Sequence, residues 1–214
     1  MNQELINAMA DIEDEVVFDS VNQSLADGIP AVDILADLQE GIRIVGERFA
    51  NNQYFLPHLM LSGKLFKDVQ DLMGDALSAS DLESEGVFVL GTVKNDVHDI
   101  GKNIVSSVMG SNGFKVVDLG VDVAPEKFVE AIRETDAKVI GMSCLLTTTF
   151  QGIKDTVDAI EAADLRKGRL LMIGGGPVDE NTLKFSGADV VAKTAQDGVR
   201  IAKEFLATST EARY

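Results

Sequence analysis

"GVFVLGTVKNDVHDIGKNIVSSVMGSNGFKVVDLG", Gly86 to Gly120, decides how the rest of the chain is read. An apolar run, flat in polarity, gives way to a polar loop holding a histidine between two aspartates; helical spacing follows, then a second apolar run. Short runs of this kind read as strands covered on both faces. The unit is therefore strand, loop, helix, strand. Three more runs repeat the pattern, "KVIGMS" (138–143), "LLMIGG" (170–175) and "ADVVA" (188–192). Between and after the runs lie helix candidates at Lys102–Ser111, Pro125–Glu134, Phe150–Ala162, Asn181–Phe185 and Ala195–Leu206. This alternation predicts an α/β fold: a doubly wound, Rossmann- or flavodoxin-like parallel sheet with right-handed crossovers.

Upstream the period changes. Leu5, Met9, Ile12 and Val16 share one helical face; Ile34, Leu38, Ile42, Val45 and Phe49 a second; Leu61, Leu65, Val69 and Leu72 a third. A short extra helix near Ser20 to Asp27 makes four, with Gly28 ending it and Pro30 in the first turn of the next. "ANNQYFLP" interrupts the pattern before the last long helix. The expectation is an N-terminal four-helix bundle over residues 1–80, a linker at 81–86 inside the polar "SASDLESEG", and the α/β domain over 87–214.

Composition narrows the function classes. With 214 residues, 45% of them hydrophobic, the chain can bury one good core or two small ones without disulfides. Cys144 is the only cysteine, and the start "MNQELINAMADIEDEVV" has acids where a secretion signal has a basic region and an apolar core. A reducing cytoplasm is expected. No segment approaches the roughly 20 apolar residues that cross a bilayer, so no membrane role is expected. A net charge of −16 argues against nucleic acid, whose phosphates reward clustered Lys and Arg.

In a doubly wound sheet, ligands bind beyond the carboxyl ends of the strands, where strand order reverses. Three loops fall at that edge: "VKNDVHDIG" after the first strand, "SCLLTTT" after the third and "GGGP" after the fourth. His98 in the first is a good nitrogen ligand, and Asp96 or Asp99 can accept a hydrogen bond from its other ring nitrogen. It can equally cap a helix or satisfy a polar loop. A protein-only zinc site is disfavoured, because such sites need about three or four protein ligands and only His58, His98 and Cys144 are at hand. A metal bound by His98 would bring most of its own ligands, as a macrocycle does when it leaves the protein one axial position. Gly174, Gly175 and Gly176 let backbone approach a bulky ligand, and Ser143 and Thr147 offer hydroxyls without filling space; ordinary turn chemistry explains the glycines as well. The G-x-G-x-x-G dinucleotide fingerprint and the P-loop lysine motif are both missing.

Taken together, "GTV-x-x-DVHDIGKNIV" (91–105), Ser143-x-Leu145 and the double glycine resemble the cobalamin-binding module of methionine synthase and of the small corrinoid proteins of methanol, methylamine and O-demethylase methyltransferase systems. The resemblance covers nearly the whole chain. It implies a cobalamin or related corrinoid bound base-off, its own base displaced into the sheet domain and His98 as lower axial ligand of cobalt. Asp96 then matches the carboxylate that holds His98, and Thr149 the hydroxyl completing a proton relay, where the family has serine. Asn95 departs from the family pattern, which places glycine there, and implies a slightly shifted turn. Val97, Asp99, Ile100 and Gly101 would lie against the ligand with the loop, and Ser143, Leu145, Thr147, Gly174, Gly175 and Gly176 would line the slot for the nucleotide tail. The helical half would be a lid over the reactive face, with Phe55 and Leu59 of "YFLPHLM" shielding the methyl group and the segment 78–86 as hinge. His58 reads as a surface side chain.

The resemblance further implies a methyl carrier, a subunit of an enzyme system rather than a complete enzyme. A substrate-specific methyltransferase would load Co(I), and a second methyltransferase would take the group from methyl-Co(III) to tetrahydrofolate or coenzyme M. His98 would release cobalt and take up a proton in the Co(I) state, and a reductive activator would rescue oxidised cobalt. Rival expectations are a cobalamin-dependent regulator or sensor, which carries a basic DNA-binding domain ahead of the cap, and the cobalamin subunit of a mutase, which lacks the "YFLP" cap. A cofactor-free signalling domain of flavodoxin-like fold is the third.

Overall fold

The computed structural model of the chain describes residues 1–76 and 84–211. Two compact units meet in sequence at Ser84 and Glu85. Residues 81–83 of the expected linker and 78–83 of the expected hinge lie outside the described residues.

The first unit is helical. Helix α1 (Gln3–Asp11) starts where the Asn2 side chain accepts from the N–H groups of Glu4 and Leu5 at 3.1 and 3.3 Å. Helix α2 (Asp14–Ala26) opens on Asp14 and Glu15, acids that complement the positive end of the helix dipole. Pro30 sits at the N-cap of α3 (Ala31–Ala50), just outside the helical turn expected to hold it, and Pro57 lies in the first turn of α4 (Leu56–Met73). Leu5, Met9, Val17, Val21, Ile34, Leu38, Phe66, Val69 and Met73 build one core among the four. Helices α1 and α3 cross closely at Gly41, where a Cβ would lie 2.5 Å from that of Met9.

Three expectations fail here. The face running from Leu5 to Val16 is broken, because Ile12 turns left-handed at φ 60° and ends α1. Its N–H and that of Glu13 return to the carbonyls of Met9 and Ala8, while Arg48 binds the Ala10 carbonyl and Asp11. Val16 is left 38% exposed on α2. The short helix expected at Ser20–Asp27 is thus the second half of a longer one. In α4 the buried face is Leu59, Ser62, Leu65, Phe66, Val69 and Met73, whereas Leu61 and Leu72 are 55% and 43% exposed. That helix carries apolar residues on two faces, and the one bearing Phe66 and Met73 removes more area from water.

The second unit is a five-stranded parallel sheet in the order β2-β1-β3-β4-β5. Its strands are β1 (Gly86–Thr92), β2 (Phe114–Asp118), β3 (Val139–Ser143), β4 (Leu170–Gly174) and β5 (Val190–Val191). The connecting helices are α5 (Ile100–Ser111), α6 (Pro125–Thr135), α7 (Phe150–Ala162) and α8 (Glu180–Ser186), and α9 (Ala195–Glu211) closes the chain. Period-two alternation sorts the core. Val89, Ile140, Leu171 and Ile173 pack against Phe128 and Ile132 of α6 and Ile153, Val157 and Ile160 of α7. Phe88, Leu90, Val139, Leu170 and Met172 pack on the other face against Val108 and Met109 of α5 and Ala195, Val199 and Ala202 of α9. The doubly wound α/β fold is present as expected. Strand order reverses between β1 and β3, so the loops that follow these two strands diverge from a common point.

Candidate functional site at the strand reversal

The loop after β1 is shaped by its backbone. Asn95 takes φ 66°, a left-handed conformation that asparagine reaches more readily than most residues, so the turn keeps a shape glycine would also give. Its N–H donates to Asp122 Oδ1 at 2.8 Å, and the Asp122 N–H donates to the Asp96 carbonyl at 2.8 Å. Thr92, at the end of β1, donates its hydroxyl to the His98 carbonyl at 2.9 Å. These ties fix both ends of the segment holding Asp96 and His98.

Asp96 has no exposed surface. Its Oδ1 accepts from the N–H and Nδ1 of His98 at 3.1 and 2.7 Å. Its Oδ2 accepts from the N–H groups of Leu145 and Leu146 at 2.7 and 3.1 Å and lies 3.2 Å from the Thr149 hydroxyl. One carboxylate thus bridges the loop after β1 to the loop after β3. Burial is the largest single influence on this carboxyl and opposes its ionisation. The donors from Leu145, His98 and Leu146 together outweigh it and hold the group well below the usual carboxylate range. An ionised carboxylate only accepts, so His98 must donate from Nδ1, and in the neutral ring the lone pair then sits on Nε2. The His98 side chain is 44% exposed, with no hydrogen-bond partner for Nε2 among the described residues. Of the two aspartates that could hold the imidazole, Asp96 does so; Asp99 contacts Asn103 instead.

The Thr149 hydroxyl has a choice of acceptors, since the Leu146 carbonyl lies at 2.8 Å as well as Asp96 at 3.2 Å. Cys144 Sγ stands 3.1 Å from the same oxygen. Burial pushes the Cys144 thiol up, which keeps it protonated and able to donate to Thr149. Gly175, at φ 139°, is demanded by packing, because a Cβ there would lie 1.8 Å from the Cys144 carbonyl oxygen. Gly176 lies beside Leu145, and Thr147 begins the 3-10 turn that ends at Thr149. Ser143 is in register with Thr92 on one side and Gly174 on the other, so three small residues form a row on the α5–α9 face. Val97, Ile100 and Leu145 are 66%, 69% and 44% exposed, apolar side chains close in sequence to His98 and to Asp96's partners. A Cβ on Gly101 would meet open space.

Phe55 and Leu59 belong to the helical unit; Phe55 is 66% exposed and Leu59 is buried. His58 is a half-buried local cap, its Nδ1 accepting from the Phe55 N–H at 3.0 Å and its ring stacked on Tyr54. Leu146, Asp122 and Thr92 were not singled out from the sequence. Leu146 acts through its backbone and Asp122 reaches the loop from beyond β2, so no local motif marks them, whereas Thr92 lies inside the quoted run, six residues before His98.

No group of three or more His, Cys, Asp or Glu able to hold a metal ion occurs among the described residues. A single oriented nitrogen suits a metal that arrives with its own equatorial ligands, and small residues beside it leave room for a large group. The residues present therefore fit a metal carried in a tetrapyrrole ring.

A parallel α/β unit with a carboxylate-held histidine at its strand reversal, preceded by a helical unit, defines a class of cofactor-binding protein. The chain belongs to the B12-binding domain family: one B12 binding domain model matches residues 86–203 and a second matches residues 1–73. It is 38% identical to dimethylamine corrinoid protein 3 of Methanosarcina acetivorans over 203 residues, 95% of each chain. A cobalamin-binding protein of Desulfitobacterium hafniense is similar with a TM-score of 0.80 and 33% identity, over 94% of this chain and 96% of that one. The methanol:cobalamin methyltransferase complex MtaBC of Methanosarcina barkeri contains a chain similar at TM-score 0.85 and 25% identity, covering 99% of this chain and 83% of its own. No described helix is long and apolar enough to cross a membrane.

Proposed function

We propose that the protein is a corrinoid methyl carrier that works between methyltransferases. One observation carries this reading: Asp96 orients His98 with Nε2 left unpaired at the strand reversal of a B12-binding fold. Bound there, a corrinoid would supply a cobalt that takes up a methyl group and later releases it. His98 would be the lower axial ligand, with the cofactor's own base displaced. Asp96 keeps the Nδ1 proton in place and makes the imidazole a stronger donor. On leaving the metal, His98 would take up a proton from solvent at Nε2, and Asp96, with the Thr149 hydroxyl in reach of its other oxygen, would hold the resulting charge, so Asp96, His98 and Thr149 would act as a relay. Ser143, Thr147, Leu145 and Gly174–Gly176 would line the passage for the nucleotide tail, and Val97, Asp99, Ile100 and Gly101 would border the ring.

The partners are a substrate-specific methyltransferase, a second methyltransferase serving tetrahydrofolate or coenzyme M, and a reductive activator. Relatives named for dimethylamine and monomethylamine, and the MtaBC complex named for methanol, make methylamines and methanol the first donors to test. The lone Cys144 supports the cytoplasm as the compartment.

The test is anaerobic reconstitution with a corrinoid, then methylation by candidate methyltransferases against a panel of methylamines, methanol and methoxylated aromatics. The expected result is a donor-dependent change in the corrinoid absorbance that His98→Ala slows at least ten-fold. A chain that takes up no corrinoid under reducing conditions would rule the carrier role out.

A further inference from the structure

One peptide unit in the loop after β1 is held from two opposite sides. The Asp96 N–H donates to the Val93 carbonyl at 3.1 Å and closes Val93 to Asp96 into a four-residue turn, with Asn95 in third place at φ 66°. A turn of this kind differs from the commoner type I by a flip of the peptide between its second and third residues, and the flipped form needs the third residue left-handed. Left-handed backbone costs any residue that has a Cβ, asparagine less than most. The flipped peptide therefore needs support from outside the turn.

That support comes through both of its polar groups. The Asn95 N–H donates to Asp122 Oδ1 at 2.8 Å. Across the peptide, the Lys94 carbonyl oxygen rests against Gly152 in the first turn of α7, where a Cβ would lie only 3.0 Å away. Turning the peptide over would set its carbonyl oxygen against the Asp122 carboxylate, two acceptors with no proton between them. Asp122 is itself left-handed at φ 52°, and its N–H donates to the Asp96 carbonyl at 2.8 Å. The two left-handed residues thus interlock. The ion pair of Lys94 with Asp122, at 3.0 Å, has both side chains nearly half exposed and adds little by itself. Asp96 is the residue on which the turn ends, and its Oδ1 meets His98 Nδ1 at 2.7 Å.

We infer that Asp122 is a positioning residue: its carboxylate selects the orientation of the Lys94–Asn95 peptide, and that orientation delivers Asp96 to His98. The inference rests on the corrinoid-carrier reading for the use made of His98, and adds to it a residue from another loop on which the direction of the imidazole depends.

The experiment labels the apoproteins with 15N-histidine and reads, by nuclear magnetic resonance at alkaline pH, which ring nitrogen carries the proton. His58, whose Nδ1 accepts from the Phe55 N–H, gives the opposite tautomer and serves as internal reference. Asp122→Ala is expected to lower the ratio of the Nδ1–H to the Nε2–H tautomer of His98 roughly five-fold, the worth of one net hydrogen bond. Asp122→Asn, whose amide oxygen still accepts from Asn95, should stay within about two-fold of wild type. Asn95→Gly removes the cost of the left-handed turn, so Asp122→Ala in that background should change the ratio less than about two-fold. Thermal unfolding of each protein is read alongside. A ratio that Asp122→Ala leaves unchanged overturns the inference, whatever happens to the melting temperature. An equal fall with Asp122→Asn, or an equal fall in the Asn95→Gly background, overturns it too. The carrier reading fails separately, if wild type takes up no cobalamin; the tautomer comparison, made without cofactor, still decides the role of Asp122.

Discussion

Asp96 is shut away from water with five donors within hydrogen-bond distance, and its charge is part of the packing as well as of the site. Asp96→Ala leaves the N–H groups of Leu145 and Leu146 without their acceptor, and is expected to cost about 3 kcal/mol in urea unfolding of the apoprotein. The folded-state pKa of Asp96 lies below its unfolded value. Its contribution to stability is therefore fully present above the ordinary carboxylate range near pH 4 and is lost as pH falls toward the folded value. Unfolding measured from pH 6 down to pH 2.5 should show a steeper loss for wild type than for Asp96→Asn. Equal slopes would contradict it. His98 between two aspartates was legible in its own loop, whereas the choice of Asp96 over Asp99 and the place of Thr149 beside it came through the family resemblance. The donor N–H of Leu146 and the support from Asp122 were not, since each depends on which strands lie side by side.

Strands and the helices of the α/β half were readable within a few residues, because flat apolar runs and helical spacing alternate there without ambiguity. The helical half was less so: the left-handed Ile12 that ends α1 is held by Arg48 from α3, and the buried face of α4 is chosen by Phe66 and Met73. Two glycines at the strand reversal make opposite predictions. Gly175→Ala would place a Cβ 1.8 Å from the Cys144 carbonyl oxygen at a φ that disfavours side chains. It should destabilise the apoprotein by about 3 kcal/mol, read as a lowered melting temperature. Gly101→Ala meets nothing within 4 Å in the first turn of α5. It should leave the apoprotein unchanged or raise its stability by about 0.5–1 kcal/mol, and on the proposal that Gly101 borders the ring it should weaken corrinoid binding in dialysis. Unchanged affinity would remove Gly101 from the site.

At the scale of the molecule, binding and folding are linked. A corrinoid at one hundred times its dissociation constant should add about 2.7 kcal/mol to the stability of the unit that holds it, seen as a melting transition several degrees higher in the loaded protein. His98→Ala should shrink that increment, and a protein whose melting is indifferent to corrinoid would not hold one at this site. The central claim is that a protein imidazole replaces the cofactor's base beneath cobalt. It is tested most directly by electron paramagnetic resonance of the Co(II) form, prepared from unlabelled cobalamin and protein carrying 15N-histidine. A nitrogen splitting that changes from a triplet in unlabelled protein to a doublet in labelled protein is the predicted result. A triplet that persists with labelled protein would mean the cofactor keeps its own base, and would contradict the assignment of His98.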